Sequence, residues 1–198
     1  MIRVVVIDDE EMIRSAIVAL LTLEEDLQVV GEAANGSEGL DVVRAEAPDV
    51  VLLDLEMPPT DGIEVAVQVE PPTRCVLMTR HARPGVLRRA MAAGIAGFVP
   101  KSSPVSALAQ VIREVAAGRR YVDSEVAAAA LEAETCPLSD RELDALRLTR
   151  RHASVAEIAE TLHLADGTVR NYLSSAMTKT DTSSRHEAAE HAYEHGWI

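Results

Sequence analysis

Aromatic side chains are scarce in this chain: one Phe, three Tyr and one Trp among 198 residues. A surface that stacks single-stranded bases needs several rings together, so binding of single strands or RNA in that way is not expected. Cysteine is scarcer still. Cys75 and Cys136 are too few for a disulfide framework or a thiolate metal cluster, and a reducing cytoplasm is the expected setting. No apolar run approaches the ~18 residues of a membrane-crossing helix, so no membrane insertion is expected. Residues 1–10 have no cationic flank or cleavage motif, so no secretory leader is expected either. Positive charge is short: 19 Lys and Arg stand against 32 Asp and Glu, a formal net charge of −13. Such a balance disfavours indiscriminate nucleic-acid binding but leaves room for a small docking face. What is abundant is apolar, 47% of the residues, which argues for folded cores rather than general disorder.

The charge is unevenly spread. Residues 123–136 carry four acids and no base. Residues 147–185 carry six bases (Arg147, Arg150, Arg151, Arg170, Lys179, Arg185) against four acids, a locally basic stretch in an acidic protein.

Hydropathy patterning divides the chain. Apolar, β-branched runs at residues 2–7, 28–31, 50–53, 75–78 and 97–99 read as strands. Helical periodicity or helix punctuation marks residues 12–21, 37–45, 62–69, 85–93 and 105–117. Five strands alternating with five helices imply a parallel sheet covered on both faces, an α/β domain over residues 1–120. Residues 121–136 show no strand signal and read as a linker, with an Ala/Glu-rich helix candidate at 124–134. Residues 137–198 read as all-helical, with helices at 138–150, 154–162, 166–178 and 184–195. Ser139/Glu142 and Ser154/Glu157 have capping-box spacing. The tight joint between the second and third of these helices suggests a helix-turn-helix.

Parallel sheets carry their sites at the carboxyl ends of strands. The first strand ends in Asp8 and Asp9, the third in Asp54 and the fourth in Thr79, and Lys101 follows the fifth. If these ends are neighbours, three carboxylates converge, and they would repel one another without a cation among them. Oxygen-only ligands point to Mg²⁺. Asp54 is then a competent nucleophile toward an activated phosphoryl group, with Lys101 and Thr79 placed to hold phosphoryl oxygens.

Ile7-Asp8-Asp9-Glu10, the run from Val51 through Asp54 to Pro58 with Asp61-Gly62, Met78-Thr79 and Gly97-Phe98-Val99-Pro100-Lys101 together resemble the receiver domain of bacterial two-component response regulators. The resemblance implies a flavodoxin-like, doubly wound, five-stranded sheet. It implies Asp54 as phosphoacceptor, and Mg²⁺ held by Asp8, Asp9, Asp54 and the backbone carbonyl of Glu56. It implies Thr79 and Phe98 as a switch pair and a sensor histidine kinase as partner. One departure is Arg80, where a small residue is usual. A long cation there would shield the phosphate or slow its entry, and a simply solvated Arg is the plainer alternative.

In the helical half, Ile158, Ala159, Leu162, Val169, Tyr172 and Leu173 supply apolar spacing that packs two helices. This leaves Thr168, Arg170, Asn171 and Ser174 on the outer side of the third helix. Arg suits guanine and Asn suits adenine in a major groove, while Lys179 and Arg151 are candidates for phosphates. The alternative is an ordinary helical bundle with a solvated face. The run from Leu138 to Leu143, the segment Ala156-Glu157-Ile158-Ala159 and the stretch from Gly167 to Ser174 resemble the four-helix DNA-binding domain of LuxR-type regulators. With the receiver in front, the whole chain resembles the NarL/FixJ class and, from the third helix and the ending His195-Gly196-Trp197-Ile198, its DesR-like subgroup. That class implies double-stranded promoter DNA, a homodimer on activation and RNA polymerase as partners. Ala165 stands where a capping serine is usual, leaving Asp166 as a substitute cap, and Asp181 stands where glycine is usual.

Two other readings use the same residues. One is a constitutive DNA-binding dimer whose receiver serves assembly alone. The other is an aspartate-nucleophile phosphatase built on Asp54 and Glu56; it is disfavoured because the acidic pair precedes Asp54 and no acid follows Lys101 until Glu114. A switched regulator is not expected to be a turnover enzyme.

Overall fold

The computed structural model describes residues 1–81, 83–132 and 136–198. The chain forms two compact units, Met1–Ala82 with Leu87–Ala127, and Arg83–Val86 with Ala128–Ile198.

In the first unit, β1 (Ile2–Ile7), β2 (Leu27–Ala33), β3 (Val50–Asp54), β6 (Arg74–Thr79), β7 (Gly97–Pro100) and β8 (Tyr121–Val122) form one parallel sheet in the order β2-β1-β3-β6-β7-β8. The helices α1 (Glu11–Leu21), α2 (Gly36–Glu46), α3 (Gly62–Ala66), α4 (Pro84–Ala92) and α5 (Val105–Ala116) are its crossovers. The expected doubly wound α/β fold is present. Val4, Val6, Leu52, Val76 and Met78 bury one sheet face against Ile17 and Leu21 of α1 and Leu108, Val111, Ile112 and Val115 of α5. Their alternates Val5, Ile7, Val51, Leu53 and Leu77 are equally sealed, which is why these strands read as unbroken apolar runs.

The structure departs from the expected elements in three places. Tyr121 and Val122, placed in a linker by their sequence, pair with Gly97 and Phe98 as a sixth strand. Two residues are too few for any periodicity to show. Glu56–Met57 (β4) and Thr60–Asp61 (β5) form a small antiparallel pair that the Pro-rich segment did not announce. Helix α3 stops at Ala66 rather than 69, because Gln68 and Val69 donate to Val65 and Ala66 in tighter, i to i+3 turns.

Helix α6 (Ser124–Glu132) follows β8. The last part of the helix candidate, residues 133 and 134, lies outside the described residues. The second unit is built from α7 (Asp140–Arg150), α8 (Val155–Leu162), α9 (Asp166–Lys179) and α10 (Arg185–Glu194). Ser139/Glu142 and Ser154/Glu157 close complete capping boxes on α7 and α8. His163, at φ 54°, turns the chain from α8 into α9 within three residues. Leu146, Ile158, Val169, Leu173, Ala176, Ala188, Ala192 and Trp197 form a single core.

Candidate functional site

Sheet order places β1 beside β3 and β3 beside β6, so the carboxyl ends of these strands converge. Asp8 and Asp54 are buried there, with 0% and 3% of their surface exposed. Lys101 Nζ reaches in from the end of β7 and lies 2.8 Å from Asp8 Oδ2, 3.0 Å from Asp54 Oδ2 and 3.0 Å from Glu10 Oε1. Gly62 makes the arrangement possible. A Cβ on it would stand 2.1 Å from the Asp54 carbonyl oxygen, so only glycine lets α3 start against this strand end. Asp61 beside it caps α3 through the Glu64 N–H at 2.8 Å and pairs with Arg89 at 2.9 Å.

The site is over-supplied with negative charge. Asp8, Asp9, Glu10 and Asp54 each place a carboxylate oxygen within 4.8 Å of the others. Lys101 and Arg80 provide two positive charges against these four, leaving a deficit that a divalent cation matches. Burial is the main influence on the Asp54 carboxyl and pushes it up to about 6; the Asp8 charge adds to this, while Lys101 and the Glu56 N–H oppose it. For Lys101, burial disfavours the ammonium, but Asp8, Asp54 and Glu10 outweigh it and raise its value. Asp8 Oδ2 is buried and meets the Lys101 ammonium at 2.8 Å as an ion pair, with no further donor on it among the described residues. Four carboxylates that outnumber the cations among them, all offering oxygen, fit a hard dication such as Mg²⁺.

The other expected residues lie around this centre. Thr79 is fully buried, and its hydroxyl exchanges hydrogen bonds with the His81 backbone, accepting from the N–H at 3.1 Å, rather than turning to Asp54. Phe98 is completely enclosed in β7. Glu56 opens β4, its N–H directed at the Asp54 carboxylate. Sequence reasoning gave Glu10 no role. It occupies the N-cap of α1 without capping it, its carboxylate going instead to Lys101 and to Arg80, whose Nε donates to Oε1 at 3.2 Å. The third acid of the run Asp8-Asp9-Glu10 was the available signal.

In the helical unit, Arg170, Asn171 and Ser174 are exposed along α9 and Thr168 is half-buried. Asp166 does not act as the substitute cap. Ala165 is the N-cap, and the Asp166 carboxylate lies 3.5 Å from Arg170 one turn on. Asp181 takes φ 51°, the left-handed conformation that glycine adopts without cost. Lys179 donates to the buried Glu142 at 2.8 Å, and Ser175 donates to the other Glu142 oxygen at 2.6 Å. Burial opposes the Glu142 charge, but Lys179, Ser175 and the Ser139 N–H more than compensate and bring its pKa down to about 2. Lys179 therefore reaches the outside partly neutralised.

Comparison with known proteins agrees with both halves. The model described as "Response regulator receiver domain" matches residues 4–113, and that described as "Bacterial regulatory proteins, luxR family" matches residues 136–192. The chain is 38% identical over 200 residues to the transcriptional regulatory protein DesR of Bacillus subtilis, covering 100% of both. It is 32% identical over 206 residues to the DNA-binding transcriptional activator DevR/DosR of Mycobacterium tuberculosis, covering 98% of this chain and 95% of that protein. Among solved structures, the response regulator ChrA of a heme-sensing two-component system superposes with a TM-score of 0.58 at 29% identity, covering 100% of this chain and 98% of that one. A LuxR-family response regulator from Aurantimonas sp. SI85-9A1 superposes with a TM-score of 0.64 at 30% identity, over 67% of this chain and 96% of that one. The chain belongs to the two-component response regulators that join a receiver to a LuxR-type DNA-binding domain.

Proposed function

We propose that Asp54 accepts a phosphoryl group from a sensor histidine kinase, and that this drives dimerisation and binding of promoter DNA. The observation that carries the reading is the buried Asp8–Lys101–Asp54 constellation with its uncompensated negative charge. Asp54 Oδ attacks phosphorus and the histidine nitrogen leaves with the bonding electrons. Lys101 holds a phosphoryl oxygen, and Thr79 leaves the His81 backbone to donate to another, with Phe98 following as its partner in the switch. Mg²⁺ would be held by Asp8, Asp9, Asp54 and the Glu56 carbonyl, and would supply charge neutralisation between donor and acceptor. The product carries about −1.5 to −2 charge, enough to bias the receiver surface toward pairing.

A pair of chains then presents two α9 helices to adjacent half-sites. Arg170 and Asn171 read base edges, Thr168 and Ser174 support them, and Lys179 and Arg151 meet phosphates. DevR/DosR, by its name, is a DNA-binding activator, which favours this use of the same unit. Residues 1–122, which include the sixth strand, serve as receiver, 123–136 as linker and 137–198 as DNA-binding domain. The chain works in the cytoplasm, contacts RNA polymerase at its promoters, and loses its phosphate slowly without being a turnover enzyme.

Incubation with a small acyl phosphate and Mg²⁺, followed by intact mass and peptide mapping, tests the assignment. One phosphoryl adduct on Asp54 is expected, and none in Asp54→Asn. An adduct elsewhere, or one that survives in Asp54→Asn, refutes it.

A further inference from the structure

We propose that Arg80 is a ligand of the phosphoryl group on Asp54, that Glu10 is the partner it leaves to reach it, and that this exchange sets how long the acyl phosphate lasts. The inference rests on Asp54 being the phosphoacceptor.

The geometry is a chain of alternating charge. Asp54 Oδ2 is 3.0 Å from Lys101 Nζ, which is 3.0 Å from Glu10 Oε1, which accepts from Arg80 Nε at 3.2 Å. Register puts Arg80 at the same sheet end, because Asp54 pairs with Met78 two residues earlier. The two cations differ in freedom. Lys101 is 7% exposed and is fixed among three carboxylates, whereas the Arg80 side chain is 53% exposed and holds Glu10 at the rim. Arg80 grips Glu10 with two nitrogens, Nε on Oε1 and a terminal nitrogen on Oε2, yet its side chain is half-exposed and solvent screens the pair, so a more highly charged anion can displace Glu10. Glu10 offers one negative charge shared between two cations. A phosphoryl group on Asp54 offers nearly two, with oxygens spaced for the guanidinium fork.

The direction of the effect follows from the reaction. In hydrolysis a water oxygen bonds to phosphorus opposite the Asp54 oxygen. The P–O bond to Asp54 breaks, its electron pair stays on the carboxylate, and inorganic phosphate leaves as the water proton passes to solvent. The attacking water must reach phosphorus in line with the Asp54 oxygen. A guanidinium drawn over the phosphoryl group from the rim stands in the path of that water, so the acyl phosphate lasts longer with Arg80 than without it.

The test is the first-order loss of phosphate from the full-length protein, labelled with a small acyl phosphate at saturating Mg²⁺. Arg80→Ala is expected to lose phosphate about tenfold faster, and Arg80→Lys, which keeps charge without the fork, at an intermediate rate. Glu10→Gln, by releasing Arg80, is expected to slow the loss about threefold, and to change nothing when Arg80 is already Ala. Loss from Arg80→Ala at the wild-type rate or slower overturns the proposal. A Glu10→Gln effect that is unchanged in the Arg80→Ala background overturns the exchange. Failure of the wild type to take phosphate, or labelling of Asp54→Asn, removes the phosphoacceptor reading and this inference with it. Adducts on Asp54 with equal lifetimes in all variants remove this inference alone.

Discussion

Glu142 is a buried carboxylate that receives Lys179 Nζ at 2.8 Å, Ser175 Oγ at 2.6 Å and the Ser139 N–H at 2.6 Å. It thereby ties α7 to α9 and closes the cap of α7. Glu142→Gln keeps the size but removes the charge, and its amide places a donor where the wild type presents only acceptors. The shift from 4.5 to about 2 corresponds to roughly 3 kcal/mol at neutral pH, at about 1.4 kcal/mol per pH unit. Lys179 is itself 38% exposed, so solvent screening makes this figure an upper value. The group's folded value is depressed, so its contribution is present above pH 4.5 and is lost as pH falls toward 2. Trp197 is the one tryptophan of the chain and sits in the core of the helical unit, so its fluorescence reports that unit's unfolding within the full-length protein. Denaturant titrations should show Glu142→Gln less stable by up to about 3 kcal/mol at pH 7, with a correspondingly lower melting temperature. The gap should close between pH 4.5 and 2. A difference below about 0.5 kcal/mol at pH 7, or one independent of pH, would mean that the Glu142 charge does not tie α7 to α9.

Three further outcomes are expected. Asp54→Asn should stabilise the metal-free receiver at pH 7.5 by about 3 kcal/mol, because burial raises the Asp54 carboxyl from 3.8 to about 6 and stability falls as pH rises through that window; the gain should vanish below pH 4 in EDTA by circular dichroism, and Mg²⁺ should offset it by stabilising the wild type more. Gly62→Ala should cost about 3 kcal/mol or more and abolish phosphorylation of the folded fraction, since its methyl group would meet the Asp54 carbonyl; a soluble variant labelled at the wild-type rate would contradict this. Asp181→Gly should stabilise the helical unit by about 0.5–1 kcal/mol by Trp197 fluorescence, because φ 51° strains a residue that has a Cβ.

Legibility in the sequence followed the physics of each feature. The strands of the first unit were readable because burial on both faces makes them continuous apolar runs, and the helix starts because capping residues have fixed spacing. The convergence of Asp8, Asp54 and Lys101 was readable because parallel strands bring their carboxyl ends to one edge. β8 was not, because a two-residue strand owes its existence to the open edge of β7 rather than to its own side chains. Glu10 was missed because nothing local shows that a helix-capping position sends its carboxylate to Lys101, 91 residues away. The tie between Lys179 and Glu142 spans 37 residues and was invisible for the same reason. Asp166 reads as a cap by residue type, but its carboxylate is drawn to Arg170 on the same helix.

Phosphorylation of Asp54 is proposed to act through pairing of chains. Light scattering of the full-length protein with Mg²⁺, before and after addition of beryllofluoride as a stand-in for the phosphoryl group, tests it most directly. The mass should rise from one chain to two, with no rise in Asp54→Asn. A mass unchanged by beryllofluoride, or an equal rise in Asp54→Asn, would contradict it.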